Sequence, residues 1–487
     1  MQPNILFIMT DQQRFDSLGC YGNEAVSTFN LDNLAEEGAL FKNCYVNNPI
    51  CTPSRASIFT GKPVIGHGVN TLYDVLPQEE VLFPERLRQR GYATALIGKL
   101  HVSGAMFEKD KRNKFDGFDI YDWCHEPSLF TDGKFNAYSK WLREAMPESF
   151  ERLERLGRKY ANIPEEAHFS HWTAEATIKH IKERDKEKPF FFYMSLFDPH
   201  NPYDQHPKNW EDVVNKDKIL TPNLLEGETL SKPEGIRQEH HHGYMGSFYD
   251  KTPQDIYDMR LGYYAAVSFL DYEIGRVLKT LEEEGISENT LVIFTSDHGD
   301  MLGDHELYVK GAYFYDPCTK VPLIIKYPGE LQAGSMFNQL VQPSDIAATV
   351  LKAGGYTAEE VAELMSDSKD IIEAVKNSEA SRKIAVCEYR ATGINDEGKL
   401  FDPPIHATML RDERFKLCVY HGDKEHLGEL YDMNEDPLEK NNLWNDSAYA
   451  DIKVNMLLDL LNWQVETEVR YHGSRGGVSE RVNSIKR

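Results

Sequence analysis

The chain has 487 residues, 41% of them hydrophobic and 11% aromatic, and carries a formal net charge of −24. That is enough apolar material for a large core, too aromatic for extended disorder, and best organised as one large domain with a smaller one. The acidic excess excludes nonspecific binding to nucleic acid or to an anionic membrane surface.

Met1-Gln2-Pro3-Asn4 runs straight into a strand with no basic segment or cleavage site, so no signal peptide is visible. The expected compartment is the cytoplasm, or the periplasm for a trimmed mature chain. Asn4 to Thr10 reads as a fully buried strand ending at Asp11-Gln12-Gln13-Arg14. Leu31 to Gly38 is a helix stopped by its glycine, and Ala39 to Val46 a strand leading toward Cys51. Val81 to Arg90 is helical, then Tyr92 to Ile97 is a strand ending at Gly98-Lys99-Leu100-His101. His171 to Glu183 is an amphipathic helix. Phe190 to Phe197, the longest apolar run and too short to cross a bilayer, is a strand ending at Asp198-Pro199-His200. Ile256 to Glu284 is a long helix, and Leu291 to Thr295 a strand ending at Ser296-Asp297-His298-Gly299.

Apolar strands alternating with helices predict an α/β fold, a large and mostly parallel sheet sandwiched by helices, over residues 1–365. The polar, aromatic-rich stretches from Glu108 to Tyr160 and from Tyr203 to Thr252 read as irregular insertions over the site. Pro343-Ser344-Asp345 opens a helix, and Thr357 to Glu379 reads as a charged connector. Short strands follow at Lys383 to Tyr389, Ala407 to Arg411, Phe415 to Tyr420 and Glu429 to Asp432, then a helix from Ser447 to Val469. These form a smaller C-terminal α+β unit, residues 366–487, with a small antiparallel sheet. Polar residues recur just past the strands' C-terminal ends, where open α/β sheets place their ligand crevice.

Cys51-Thr52-Pro53-Ser54-Arg55 anchors the functional reading. Pro53 suits a first helical turn and Gly61 closes the run, so Cys51 stands at a helix N-terminus, which favours an anion, with Arg55 one turn on along the same face. Seven scattered cysteines without Cys-x-x-Cys spacing suggest neither a disulfide framework nor a zinc ribbon. An isolated cysteine would read as a small buried thiol. The pattern Cys-x-Pro-x-Arg continued as Ala-Ser-x-x-Thr-Gly instead resembles the signature of the type I sulfatases, of alkaline-phosphatase-like fold. In that family the cysteine becomes formylglycine (3-oxoalanine), made by a separate maturation enzyme.

The resemblance extends from Asn4 to about Asn442 and implies the rest of the site. Asp11 and Asp297 would hold a divalent cation against the sulfate, with Gln12, Cys51 and His298 completing the set. Gln12 stands where many members have a second Asp, and His298 where many have Asn. Carboxylates suit Ca2+ or Mg2+, and Asp with His also admits Mn2+; Ca2+ is the expected ion. Lys99 would hold a formylglycine or sulfate oxygen, and His101 would help break the sulfated intermediate. His200 and Lys310 would bind the sulfate and the bridging oxygen, either one protonating the leaving alcohol. Arg55, Lys99 and Lys310 would join the metal in neutralising the ester. A thiol would form a thiosulfate with no easy release, whereas a hydrated aldehyde attacks with one hydroxyl and expels sulfate through the other.

The expected activity is sulfuric ester hydrolysis on a sulfated carbohydrate or other small sulfate monoester. A phosphonate monoester or phosphodiester hydrolase of the same superfamily is the alternative, and a binding protein with an unconverted Cys51 a third. Lys99-x-His101 favours the sulfatase. His240-His241-His242 with Tyr244 is a candidate substrate-facing cluster in the second insertion, with His241 at its centre. On that reading His241→Ala slows turnover of sulfated sugars. Unchanged turnover of every sulfated sugar removes the cluster from the site.

Overall fold

A computed structural model describes residues 2–157, 164–225, 227–242, 245–390, 399, 405–423 and 428–472. Nine strands form the main sheet: β1 (Asn4–Thr10), β2 (Ala39–Tyr45), β3 (Ala93–Gly98), β4 (Ile120–Trp123), β5 (Phe190–Ser195), β6 (Thr290–Ser296), β7 (Lys320–Val321), β8 (Leu323–Lys326) and β9 (Ser335–Val341). Their order is β4-β3-β5-β1-β6-β8-β2-β7, with β9 also paired to β2. From β4 to β6 every pairing is parallel. β8 runs against both β6 and β2, and β7 against β2, while β9 is parallel to β2. The sheet is therefore mostly parallel, with two short reversed strands on one side.

β1 is buried along its whole length. Ile5, Phe7 and Met9 face one core, with Phe59, Phe83 and Ile346, while Leu6 and Ile8 face another, with Leu34, Tyr263 and Leu270. Burial on both faces is why this strand and its neighbours carry no polar alternation. Helices Phe29–Glu37, Phe169–Glu183 and Pro253–Glu283 cover the second face. Cys51–Thr60, Phe83–Gln89 and Asp345–Ala353 cover the first. Among the described residues no helix is long and apolar enough to cross a membrane.

The insertion from Glu108 is more regular than expected. It supplies β4 at the sheet edge and helices Ala137–Ala145 and Pro147–Leu156. A four-residue edge strand, Ile-Tyr-Asp-Trp, leaves no apolar run to read. β7 to β9 also escaped the sequence reading; β9 is half-exposed and shows no continuous apolar stretch. The connector after Thr357 contains short helices Ala358–Leu364 and Ile371–Lys376, the first opened by a reciprocal Thr357–Glu360 cap.

The second sheet is antiparallel in chain order, β10 (Ala385–Arg390), β11 (His406–Arg411), β12 (Phe415–His421) and β13 (Gly428–Asp432). Cys387, Met409, Cys418 and Tyr431 on one face merge with the large core. Val386, Leu410, Leu417 and Leu430 on the other pack under helix Ala450–His472. Where the sheet meets the main body, the fully buried Lys416 reaches Asp316 Oδ1 at 2.5 Å, Glu439 Oε1 at 2.8 Å and the Phe314 carbonyl at 3.0 Å. Burial alone would lower the pKa of this ammonium, but Asp316 and Glu439 raise it well above its ordinary value. Lys416→Met leaves Glu439 without its cation and Asp316 with Lys320, so the unfolding free energy falls by about 3–5 kcal/mol. A lower urea midpoint at unchanged m-value reports it; an unchanged midpoint rejects it.

Candidate active site

Asp11 follows β1, Asp297 follows β6, Lys99 follows β3 and His200 lies beyond β5, all at C-terminal strand ends. The parallel register, Thr10 opposite Ser296 and Gly98 opposite Ser195, brings these ends into one line. Gly98 must be glycine, because it has φ of +104° and a Cβ there would stand 2.0 Å from the Ser195 carbonyl oxygen. Helix Cys51–Thr60 then presses its first turn into the strand ends, with every residue buried. Cys51 is its first residue, as the sequence indicated.

Arg55 is fully buried and spends its guanidinium entirely on protein groups. Nε donates to Asp297 Oδ2 at 2.6 Å and Nη2 to Asp11 Oδ2 at 3.1 Å. Nη1 donates to the Lys99 carbonyl at 2.8 Å, Ser195 Oγ at 3.1 Å and Tyr193 OH at 3.2 Å. Arg55 thus neutralises and orients the two carboxylates. Lys99 Nζ adds a second cation on Asp11 Oδ2 at 2.6 Å. Burial works to raise the Asp11 pKa, but Lys99, Arg55 and Lys310 together hold it well below the usual carboxylate range.

One donor atom each from Asp11, Cys51, Asp297 and His298 lie within 4.8 Å of one another, all buried. Cys51 Sγ is 3.1 Å from His298 Nε2 and 4.0 Å from Asp11 Oδ1. His298 Nδ1 meets the Gly299 carbonyl at 3.0 Å, which turns Nε2 toward the cluster. Two hard carboxylate oxygens with one imidazole fit a divalent cation. Gln12 stands beside this set with φ of +65°, its backbone N–H on Asp297 Oδ1 at 3.1 Å. Its amide oxygen accepts from Lys310 Nζ, and its Nε2 donates to Asp300 Oδ2 at 2.6 Å. Burial would raise the Cys51 pKa, yet Lys310 and Lys99 outweigh it and lower the thiol below its ordinary value.

Lys310 Nζ lies 2.8 Å from His200 Nε2, and His200 Nδ1 lies 2.6 Å from the Asn201 carbonyl. A carbonyl accepts only, so Nδ1 carries the proton and Nε2 offers its lone pair to the ammonium. Burial and then Lys310 push the His200 pKa well down, in agreement with a neutral ring. His101 is likewise neutral, its pKa lowered by burial, His125 and Lys99. Thr52 Oγ1 donates to the Leu72 carbonyl at 3.1 Å and therefore accepts from His101 Nε2 at 2.9 Å. That leaves His101 Nδ1 as an unprotonated, buried nitrogen with no hydrogen-bond partner, on a ring tied through Nε2 to Thr52, the neighbour of Cys51.

The side chains of His241 and His242, and Tyr244, lie outside the described residues. His240 is buried, edge-on to Tyr249 at 4.9 Å and 3.7 Å from Glu306. The sequence reading passed over Asp300, although it stands only three residues beyond Asp297. It also passed over Ser195, Tyr193, Thr52 and Glu108, whose residue types carry no signal without their neighbours.

Comparison with known proteins accords with this geometry. The family model described as Sulfatase matches residues 3–356. The chain belongs to the sulfatase family. A second model, N-sulphoglucosamine sulphohydrolase, C-terminal, matches residues 303–466. An arylsulfatase of Clostridium perfringens is 30% identical over 484 residues, covering 96% of this chain and 95% of its own. An N-acetylglucosamine-6-O-sulfatase of Bacteroides thetaiotaomicron is 28% identical over 531 residues, covering 96% and 87%. Among solved structures, the phosphonate monoester hydrolase of Agrobacterium radiobacter superposes with a TM-score of 0.75 at 24% identity, covering 96% of each chain; that likeness establishes the shared fold. This sulfatase is a sulfuric ester hydrolase with a metal-competent cluster at Cys51.

Arg55→Met leaves Asp11 and Asp297 buried without their shared cation. The variant in chelator unfolds with about 3–5 kcal/mol less free energy than the parent, and added divalent ion recovers part of the loss by replacing the charge. An equal loss with and without the ion contradicts this assignment.

Proposed function

We propose that Cys51 is converted to formylglycine by a maturation enzyme and that the protein removes sulfate from a sulfated carbohydrate, with Ca2+ held by Asp11, Gln12, Asp297 and His298. The observation that carries this reading is the position of Cys51. Its sulfur shares one buried cluster with Asp11, Asp297 and His298, while Lys310 and Lys99 supply positive charge to it. The curated relative acting on N-acetylglucosamine 6-O-sulfate supports the carbohydrate class. The converted residue supplies a hydrated carbonyl whose hydroxyl can attack sulfur, and the cation supplies positive charge to the ester oxygens.

The chain's own residues then divide the work. Lys99 is pinned to Asp11 and presents a fixed ammonium on the sulfate side. Lys310 holds the proton of the Lys310–His200 pair, so it is the donor to the leaving alcohol, and His200 shares that proton through Nε2. General acid assistance of this kind is worth ~10²–10⁴-fold. His101 Nδ1, neutral and unpartnered, is the base that takes a proton at residue 51. Only His200 and Lys310 retain appreciable exposure, so the ester enters from their side. Gln12 supports both functions: its amide oxygen can ligate the cation, and the same atom faces Lys310.

The test is a matched assay of matured protein on an aryl sulfate and an aryl phosphonate monoester, with the mass of the peptide bearing Cys51 measured in parallel. We expect the mass loss of thiol-to-aldehyde exchange, sulfate release that tracks the converted fraction, and preference for the sulfate. Cys51→Ala abolishes release. Faster turnover of the phosphonate selects the superfamily alternative. An unconverted thiol, despite an active maturation system, removes the mechanism.

A further inference from the structure

We propose that Glu108 is the positioning residue that holds His101 in register with residue 51, an inference that rests on the assignment of His101 as the base. His101 adopts φ of +55°, the left-handed region that a histidine enters only when its surroundings enforce it. In that conformation its backbone N–H turns inward and needs a buried acceptor. Glu108 provides one. Its Oε2 accepts from His101 N at 2.8 Å and from Trp123 Nε1 at 3.0 Å, and its Oε1 accepts from Ser103 N at 3.0 Å.

The side chain of Glu108 is fully buried and forms no ion pair among the described residues. A buried carboxylate held only by neutral donors is expensive. Burial pushes its pKa up to about 7, with Trp123 and the backbone N–H groups of Ser103, His101 and Val102 opposing the shift. The hydrogen bonds explain what the cost achieves. N–H groups from two stretches of chain, the His101–Ser103 turn and the Trp123 indole, converge on one carboxylate, which locks that turn against β4.

The imidazole is braced from the same side. His125 meets the His101 ring edge-on, with centroids 4.3 Å apart, and lies nearly parallel to Trp123 at 6.3 Å. Trp123 closes β4, and both it and Glu108 belong to the insertion that the sequence presents as a cover. The insertion's inner residues thus build the wall behind His101. With the backbone clamped by Glu108 and the ring edged by His125, His101 keeps Nε2 on Thr52 and Nδ1 unpartnered.

Matured enzyme carrying Glu108→Gln turns an amide NH2 toward one of the three N–H donors. We expect kcat to fall ~10- to 100-fold, as displaced catalytic groups do, with KM changed less than about threefold and with conversion of Cys51 intact. Trp123→Phe, which removes one donor, produces a smaller loss in the same parameter. The deciding comparison is the double variant. If Glu108 acts through His101, His101→Ala/Glu108→Gln has the kcat of His101→Ala within about twofold. Multiplied losses in the double variant overturn the proposal, as does a folded Glu108→Gln enzyme with the parental kcat. Should Glu108→Gln not fold, a folded Trp123→Phe enzyme with undiminished kcat overturns it instead. If His101→Ala itself turns over normally, the assignment of His101 fails and the proposal falls with it. A loss in His101→Ala alone refutes only the role of Glu108.

Discussion

Two carboxylates cannot stand buried at the ends of adjacent strands without a cation between them, and Arg55 is that cation. Its five donors fan out across the ends of β1, β6, β3 and β5, so a single side chain fixes the relative height of four strands. Because Arg55 lies one turn along the helix that begins at Cys51, the same contacts set where the nucleophilic position sits. The helix, the two carboxylates and the strand ends form one electrostatic unit.

The site's charge runs against that of the molecule. The whole chain is strongly acidic, yet Arg55, Lys99 and Lys310 outnumber Asp11 and Asp297 around Cys51. A divalent ion would add to that excess. An anionic ester therefore meets a repelling surface and a local attracting well, which favours capture at this one place over diffuse binding. Burial sharpens the contrast, since charges in a dry site are screened far less than those on the surface.

Support for the reacting groups comes from parts of the chain that look peripheral. The insertion after Glu108 braces His101 through Glu108, Trp123 and His125. The second sheet braces the opposite wall. Lys416 on β12 ties down Asp316, and Lys232 joins Glu429 on β13 at 2.9 Å, with Tyr315 also on Glu429 at 3.0 Å. Asp316 and Tyr315 lie a few residues beyond Lys310, so the loop that aims Lys310 is anchored in the C-terminal sheet. The second sheet thereby supports the site without placing a reacting group in it.

What the amino-acid sequence determined by itself is the local grammar. Apolar runs such as Phe190 to Phe197 and Leu291 to Thr295 could only be buried strands, and the polar residues that terminate them had to gather at one edge of a parallel sheet. Cys51 at a helix start, and the family to which the chain belongs, were legible for the same reason: adjacent residues carry that information. What tertiary structure alone decided is who faces whom. Arg55 met both carboxylates, Lys310 found Gln12 across almost three hundred positions, and the reversed strands β7 and β8 slotted beside β2. Glu108 and Asp300 acquired roles only through distant partners. Periodicity and motif spacing report on a few neighbouring residues, whereas the pairing of a buried charge is set by whichever opposite charge or hydrogen-bond donor the finished fold brings within about 3 Å of it.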